Sequence, residues 1–595
     1  MNQRLIVFFI LLTICSWLPA QDNESLADNY YKEGDFDKAL ILYKELYRQK
    51  PYSYNYLFKL VETHQQLENY LEAQHILKNR LERRPNPSLF IALGYNYQLQ
   101  DSIATANRFY DKAIQFVEDQ PNYIYTVARK FEDYSLLENA IAVYNKAQKL
   151  TPDRNYDLQL ARIYGEQGDV EAMFNNYLSY IKYKPVYLNN IKRVLSEFVS
   201  EDRKDESNQL LKRLLLKRIQ QQPSAYWYDM LSWLYVQEKA YRLSFIQEKA
   251  LYKRNNANLD RVIDLGFMAM NDQHYEVALE VFQFILKATQ DASTQLRAHE
   301  QILAIKTQLA DEKDLDRIKK DYDNLFTTYG INPQSLELQL AYAKFLAFNM
   351  NQVTEADDFL KNSLELYLSA TQQAEVKLVL ADILVLQERF NEALIYYSQI
   401  QTNLKNSTLA QEARFRVAKT SFYKGDFKWA ETQLNVLKSS TSQLIANDAL
   451  ELKLLISDNK YQDSTQTALK AYAKADLLAF QNKTKVAIGI LNEIKAQHGE
   501  ASIIPQTLFK QAQLYEELKQ FDKAETNYLE IISKHTESIL MDDAHFHLAQ
   551  LYDNVLLKKD EAKFHYEQII FNHEDSIYFV AARNNFRRLR GDRIN

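Results

Sequence analysis

Small and large apolar residues recur along this chain at a fixed spacing. Leu26-Ala27-x-x-Tyr30 is followed by Gly34, Ala39, Tyr43 and Pro51, and the order returns as Leu93-Gly94-x-x-Tyr97, Ala106, Tyr110 and Ala113. It returns again as Val127-Ala128-x-x-Phe131 with Ala140, Tyr144, Ala147 and Pro152, and as Leu160-Ala161-x-x-Tyr164 with Gly168, Tyr177 and Pro185. A weaker copy, Leu60-Val61-x-x-His64 with Ala73, Leu77 and Pro85, keeps the same phase. Equivalent positions lie about 34 residues apart, a period that signals stacked repeats. Ala27 and Ala128 let a second helix approach closely, Ala39, Ala106 and Ala140 do the same from that helix, and Tyr43, Tyr110 and Tyr144 fill the space between them. Alternating small and large side chains is how two helices interdigitate at native density. The prolines at 51, 85, 152 and 185 are expected to end second helices, because proline cannot continue a helix interior. Each unit leaves one apolar face uncovered, so its stability must come from its neighbours.

This pattern resembles the tetratricopeptide repeat (TPR) family, in which each unit is a pair of antiparallel helices. The resemblance implies an all-α fold, a TPR solenoid wound as a right-handed superhelix. Residues 21–185 are expected to form an N-terminal array and 186–330 divergent helical pairs. Residues 331–374 are expected to form an irregular connector with a break at Gly330-Ile331-Asn332-Pro333, and 375–595 a C-terminal array. Dividing the length beyond residue 20 by roughly 34–40 residues per unit gives roughly 14–17 helix pairs. In the last third, Ser442 through Asp448-Ala449 and Ser538 through Asp543-Ala544 share a pattern. It is similar to the TPR type of bacterial outer-membrane assembly lipoproteins and of the periplasmic Tol–Pal coordinator.

Composition narrows the alternatives. Ten glycines and ten prolines in 595 residues are too few to punctuate a β-rich or doubly wound fold of this length. A net charge of -6 argues against a general nucleic-acid binder. Residues 1–20 are expected to be a secretory signal. Arg4 supplies the basic start, Leu5 to Ile14 the apolar run, and Leu18-Pro19-Ala20 the cleavage site. That run is too short for a good membrane span, and after cleavage no transmembrane helix is expected. Cys15, the single cysteine, lies inside the signal; a lipidated Cys15 is the alternative to cleavage after Ala20, with Ile14 departing from the small residue that lipoprotein signals carry there. A mature chain without thiols must be held by packing alone.

Catalytic and cofactor signatures are missing from the sequence. It has no glycine-rich phosphate loop, no Gly-x-Ser-x-Gly elbow and no His-Glu-x-x-His. Among His545, His547, His565 and His573, the first two project about 200° apart on a helix and are not placed to share an ion. No cofactor, no metal and no enzymatic activity are expected. The aromatic residues are assigned mainly to the packing positions of the repeat.

In TPR proteins the first helix of each unit lines a concave groove. The resemblance therefore puts Asp28, Glu62, Tyr95, Arg129 and Arg162 in that groove, with Phe58 and Tyr125 one position set earlier. The series runs from acidic through aromatic to basic, which would orient an extended peptide. Arg583, Arg587, Arg588, Arg590 and Arg593 form a basic carboxyl terminus. The function expected is a non-enzymatic scaffold or adaptor of the bacterial cell envelope, periplasmic, with other envelope proteins as partners. The alternative is a surface-associated module that binds cell-wall glycan or anionic lipid through the basic terminus.

Overall fold

The computed structural model describes residues 23–255, 259–437, 442–460 and 465–592; the proposed signal with Cys15, and Arg593, lie outside them. All regular structure among the described residues is helical. Helices follow one another as antiparallel pairs, beginning with Asn23–Lys32 and Phe36–Gln49, then Tyr54–Gln66 and Tyr70–Arg83, then Pro87–Gln98 and Ile103–Asp119. Pro51, Pro85, Pro152 and Pro185 each lie just past the end of a second helix.

The turn inside most pairs is built the same way. A residue at positive φ lets the next amide reach back five residues: Asp35 N–H to the Tyr30 carbonyl, Ser102 N–H to Tyr97 and Asp169 N–H to Tyr164, each at 2.9 Å. This closes the last open carbonyls of the first helix. Gly34, Gly168 and Gly425 take that left-handed position, but Glu68, Asp101, Ser135, Glu388 and Lys519 take it elsewhere. A chain with few glycines thus makes the turn with ordinary residues, at a cost of about 1 kcal/mol each.

The core is a ribbon of small-against-large contacts. Ala27 and Ala39 are fully buried and Tyr43 nearly so. Gly94 is held to glycine by close approach: a Cβ there would meet Tyr110 Cε1 at 2.5 Å and the Ala106 carbonyl at 3.1 Å. Gly489, inside helix Thr484–Gln497, has nothing within 4 Å of such an atom. Gly94→Ala is expected to lower stability by about 1–3 kcal/mol through overpacking. Gly489→Ala is expected to raise it by up to about 1 kcal/mol through helix propensity. Chemical denaturation of both variants measures this, and equal shifts of one sign would contradict the packing account.

The chain divides into two compact units, one up to Met230 and one from Leu231. In the second unit, helix Leu315–Tyr329 stops at Gly330, and Asn332 accepts from the amides of Gln334 and Ser335 to start the next pair. That pair is Leu336–Lys344, extended by a π-helical turn over Phe345–Asn349, and Val353–Leu364. Pairs then run Ala370–Leu386 with Phe390–Asn403 and Thr408–Lys424 with Phe427–Leu437.

After Gln443–Asn459 the regular order changes. Helix Thr467–Phe480 packs against Thr408–Lys424, bypassing the two helices between them in sequence. Its C-terminal turn is tied back at long range. Asn482 Nδ2 donates to the Phe348 carbonyl at 2.9 Å and Gln481 Nε2 to the Leu386 carbonyl at 3.0 Å, while Lys474 pairs with Glu388 at 3.2 Å. Leu477 joins the core built by residues 296–417. The remaining pairs are Ile504–Glu517 with Phe521–Lys534 and Met541–Asn554 with Lys559–Asn572, capped by Phe579–Arg590.

Candidate functional site

Two groups of polar and aromatic side chains gather on first helices, one in each unit. In the first unit, Lys130 comes from helix Ile124–Asp133 and is only 9% exposed. Its ammonium lies 4.3 Å from the Phe58 ring centroid and 4.4 Å from that of Tyr134. Glu62 Oε1 closes the box at 3.4 Å. Tyr95 stacks on Tyr134 with centroids 4.4 Å apart and planes 12° from parallel. A desolvated cation between rings and a carboxylate is well held.

The expected groove residues Phe58, Glu62 and Tyr95 are therefore brought together, around a lysine that sequence reasoning did not single out. Asp28 is engaged by the Tyr43 hydroxyl. Tyr125 packs on Tyr144 and Tyr156, with centroids 6.2 and 5.6 Å away. Arg162 pairs with Glu132, outside the lysine box, and Arg129 is exposed.

In the second unit, four first helices, with Tyr397 from the second helix Phe390–Asn403, wall a cavity of about 340 Å³. Ala370–Leu386 contributes Asp382 and Val385, and Thr408–Lys424 contributes Phe415, Arg416, Lys419 and Tyr423. Thr467–Phe480 adds Asp476, Ala479 and Phe480, and Ile504–Glu517 adds Lys510 and Glu517. Asp476, 7% exposed, holds Lys419 at 2.6 Å with one oxygen and Lys510 at 2.9 Å with the other. Burial alone would raise the Asp476 carboxyl, but the two ammonium groups win and hold it at about 2. Asp382 accepts from the Tyr397 hydroxyl at 2.5 Å and faces Arg416 at 3.8 Å, while Arg416 Nε donates to Glu412 at 2.9 Å. Here burial prevails over Arg416 and the Asp382 carboxyl is raised.

Beyond the cavity the first-helix face turns acidic. Glu337, Glu375, Glu412, Asp448 and Asp543 each stand on the first helix of their unit, the last four directly before Val376, Ala413, Ala449 and Ala544. Burial raises the carboxyls of Glu375, Asp448 and Glu451; Glu337 adds to it at Glu375 and Glu412 at Asp448, while Lys419 opposes it at Asp448 and, more than Asp448 adds, at Glu451. Asp543, buried further and next to Asp542, is pushed up to about 6. The Ser…Asp-Ala pattern visible in the sequence marked two of these positions, though not the face they share.

The basic carboxyl terminus is partly offset by two of the protein's own carboxylates. Arg588 pairs with Asp553, and Arg590 and Arg587 pair with Asp592. Arg583 stands over the Phe579 ring at 5.8 Å. His545 and His565 are buried with their Nδ1 atoms 2.9 Å apart, and the rings of His545 and His573 lie 6.2 Å apart. Among the described residues no group of three or more His, Cys, Asp or Glu side chains is arranged to hold a metal ion. No described helix is long and apolar enough to cross a membrane.

Residues 506–538 match the family model of the tetratricopeptide repeat. None of the curated proteins matches the chain. Among solved structures the chain is similar to one in the structure of Naa15/Naa10 bound to HypK-THB, at 11% identity over 95% of both chains with a TM-score of 0.30. It is also similar to one in the APC/C hetero-tetramer Cut9-Hcn1, at 13% identity over 97% of this chain and 98% of that one with a TM-score of 0.24. Among the described residues the protein is all-α and built of antiparallel helix pairs, and helices Ile504–Glu517 and Phe521–Lys534 carry its match to the tetratricopeptide repeat.

Proposed function

We propose that this protein is a non-enzymatic scaffold that binds partner proteins on its first-helix faces, and that it works in the bacterial cell envelope after export. The observation that carries the binding surface is the cavity of about 340 Å³ walled mainly by four first helices, where charged and aromatic groups converge. Convergence of polar groups on a concave, partly apolar site is what binding sites share. The envelope assignment rests on the signal-like pattern of residues 1–20 and on the resemblance of the Ser…Asp-Ala units to envelope TPR proteins. The pairing of Arg588 with Asp553 and of Arg590 and Arg587 with the single Asp592 weighs against the glycan or lipid reading, because it offsets two of these three charges.

The test is photo-crosslinking in cells with the full chain. A photoreactive residue replaces Phe415 on the cavity wall, Arg129 on the other unit's first-helix face, or Glu493 on a second helix. A discrete protein adduct at Phe415 or Arg129 and none at Glu493 is the expected result. No adduct at either, with recovery in the cell-wall or membrane fraction that is lost on deleting residues 583–595, would reverse the reading in favour of the basic terminus.

A further inference from the structure

The cavity of the second unit is balanced in charge but not in hydrogen bonds. On helix Thr408–Lys424 its lining residues Phe415, Arg416, Lys419, Thr420 and Tyr423 recur at intervals of three or four, which sets them on one stripe of the helix. Three cations line the cavity, Arg416, Lys419 and Lys510, against three carboxylates, Asp382, Asp476 and Glu517. Outside the lining, Glu412 pairs with Arg416, and Asp448 and Glu451 feel the charge of Lys419. A ligand carboxylate would add to these anions, and a ligand cation would have to enter between Arg416, Lys419 and Lys510. The lining therefore fits a neutral group.

Hydrogen bonding narrows the choice. Thr420 is only 2% exposed, yet its hydroxyl makes no hydrogen bond among the described residues, and neither does the hydroxyl of Tyr423. A polar group buried this deeply costs stability until a partner satisfies it. Burial, with Asp476 beside it, holds the Tyr423 phenol well above its ordinary value, so it keeps its proton. Lys419 and Lys510 carry three N–H groups each and accept nothing, and their pairing with Asp476 leaves donors over. The polar side of the cavity thus calls for an oxygen that accepts and can also donate. The other side is apolar, from Val385, Phe415, Ala479 and Phe480, with the Tyr423 and Phe480 ring centroids 6.2 Å apart. A volume of about 340 Å³ stands at the small end of ligand pockets, which suits one large side chain.

We propose that this cavity is the anchor pocket for a tyrosine side chain of the partner protein, its ring against Val385, Phe415 and Phe480 and its phenol oxygen at Thr420, Tyr423 and the two lysines. The proposal rests on reading the cavity as a partner-binding site and adds the residue that fills it. Phenylalanine would leave Thr420 unsatisfied, and the indole N–H of tryptophan donates but cannot accept from the lysines. Single aromatic anchors in pockets of this kind carry a large share of an interface's affinity.

The test uses the full chain and capped Gly-X-Gly tripeptides, with X as Tyr, Phe, Trp, Glu or Lys, titrated by saturation-transfer NMR. The tyrosine peptide should bind at least about fivefold more tightly than the phenylalanine peptide, the worth of about one neutral hydrogen bond, and more tightly than the other three. Thr420→Val keeps the shape of the side chain and removes its hydroxyl. In a Thr420→Val/Tyr423→Phe variant the preference for tyrosine should shrink to within about twofold, while binding of the phenylalanine peptide is not weakened, which also shows the pocket intact. Should the variant lose the phenylalanine peptide as well, the comparison in the native protein decides alone. Equal binding of the tyrosine and phenylalanine peptides by the native protein, tightest binding of a charged peptide, a preference that survives both substitutions, or no binding at all would overturn the proposal. A segment captured by crosslinking at Phe415 that contains no tyrosine would overturn it too, while leaving the scaffold reading in place. Absence of adducts at both Phe415 and Arg129 overturns the scaffold reading, and the partner with it, even where the tyrosine tripeptide binds.

Discussion

Asp476→Ala is expected to destabilise the second unit by about 3–5 kcal/mol, the cost of leaving buried charges without their counter-ion. Asp476 is buried and holds Lys419 and Lys510, which reach it from two helices nearly a hundred residues apart in sequence. Removing the carboxylate leaves two ammonium groups, each about a quarter exposed, facing the same vacated space. Asp476→Asn keeps an acceptor and should cost less. Adding Lys510→Met to Asp476→Ala should recover part of the loss, since one unpaired charge is removed. The pH behaviour follows from the depressed carboxyl. Its folded value of about 2 lies below its ordinary value of 3.8, so its contribution is full above about pH 4 and disappears as pH falls toward 2. Denaturant titration followed by tyrosine fluorescence measures all three variants. A loss below about 1 kcal/mol for Asp476→Ala would mean that water compensates the lysines and that the triad is no buried ion site.

Acidification from pH 7 to pH 5 is expected to loosen the last helix pair, Met541–Asn554 with Lys559–Asn572, more than the rest of the unit. His545 and His565 share one proton between Nδ1 atoms 2.9 Å apart, so protonating both sets two N–H groups against each other. Burial lowers both histidines, and His565 and His573 add to the effect on His545, while Glu561 opposes it at His565. The unfolded chain therefore binds protons first, and stability falls as pH drops below about 6.5 by about 1.4 kcal/mol per pH unit for each histidine. Asp543 works in the other direction. Its folded value of about 6 exceeds its ordinary 3.8, so it takes up its proton earlier in the folded state and returns about 1.4 kcal/mol between pH 6 and 5. His547, on the same helix, is lowered by burial as well, so the depressed histidines outnumber the one raised aspartate and a net loss of stability remains at pH 5. Hydrogen exchange of Met541–Asn554 and Lys559–Asn572 at the two pH values reads it, with His545→Gln expected to flatten the dependence. Unchanged protection in the native protein would show that the imidazole pair is protonated in the fold without cost.

The helix pairs were legible because their core is local. Ala27, Ala39 and Tyr43 belong to one unit, and the same choice of small and large residues is repeated at the next. The site was legible only where it follows that period. Phe58, Glu62 and Tyr95 could be placed on a common face from their position in the repeat, yet the cation among them is Lys130 and not Arg129. Lys130 reaches back across one whole intervening pair to Phe58 and Glu62, and no spacing rule inside a unit specifies that reach. Asp476 was invisible for a related reason. Gln443–Asn459 is followed by a helix that packs on Thr408–Lys424, so the contact that creates the ion triad skips a step in the order that the period implies. The arginines of the terminus look like a free basic patch in one dimension because Asp553 lies 35 residues away from Arg588.

The tie from Asn482 to the Phe348 carbonyl changes what kind of object the second unit is. A stack in which each pair touches only its neighbours responds to tension like a zipper, shedding one pair at a time from an end. A bond spanning 134 residues, set beside the Gln481–Leu386 contact and the Lys474–Glu388 pair, makes the intervening helices a closed loop in the mechanical sense. Pulling on the two ends of the unit then loads these ties before it loads the helices inside the loop. The described helices inside the loop would then be released only after these ties break.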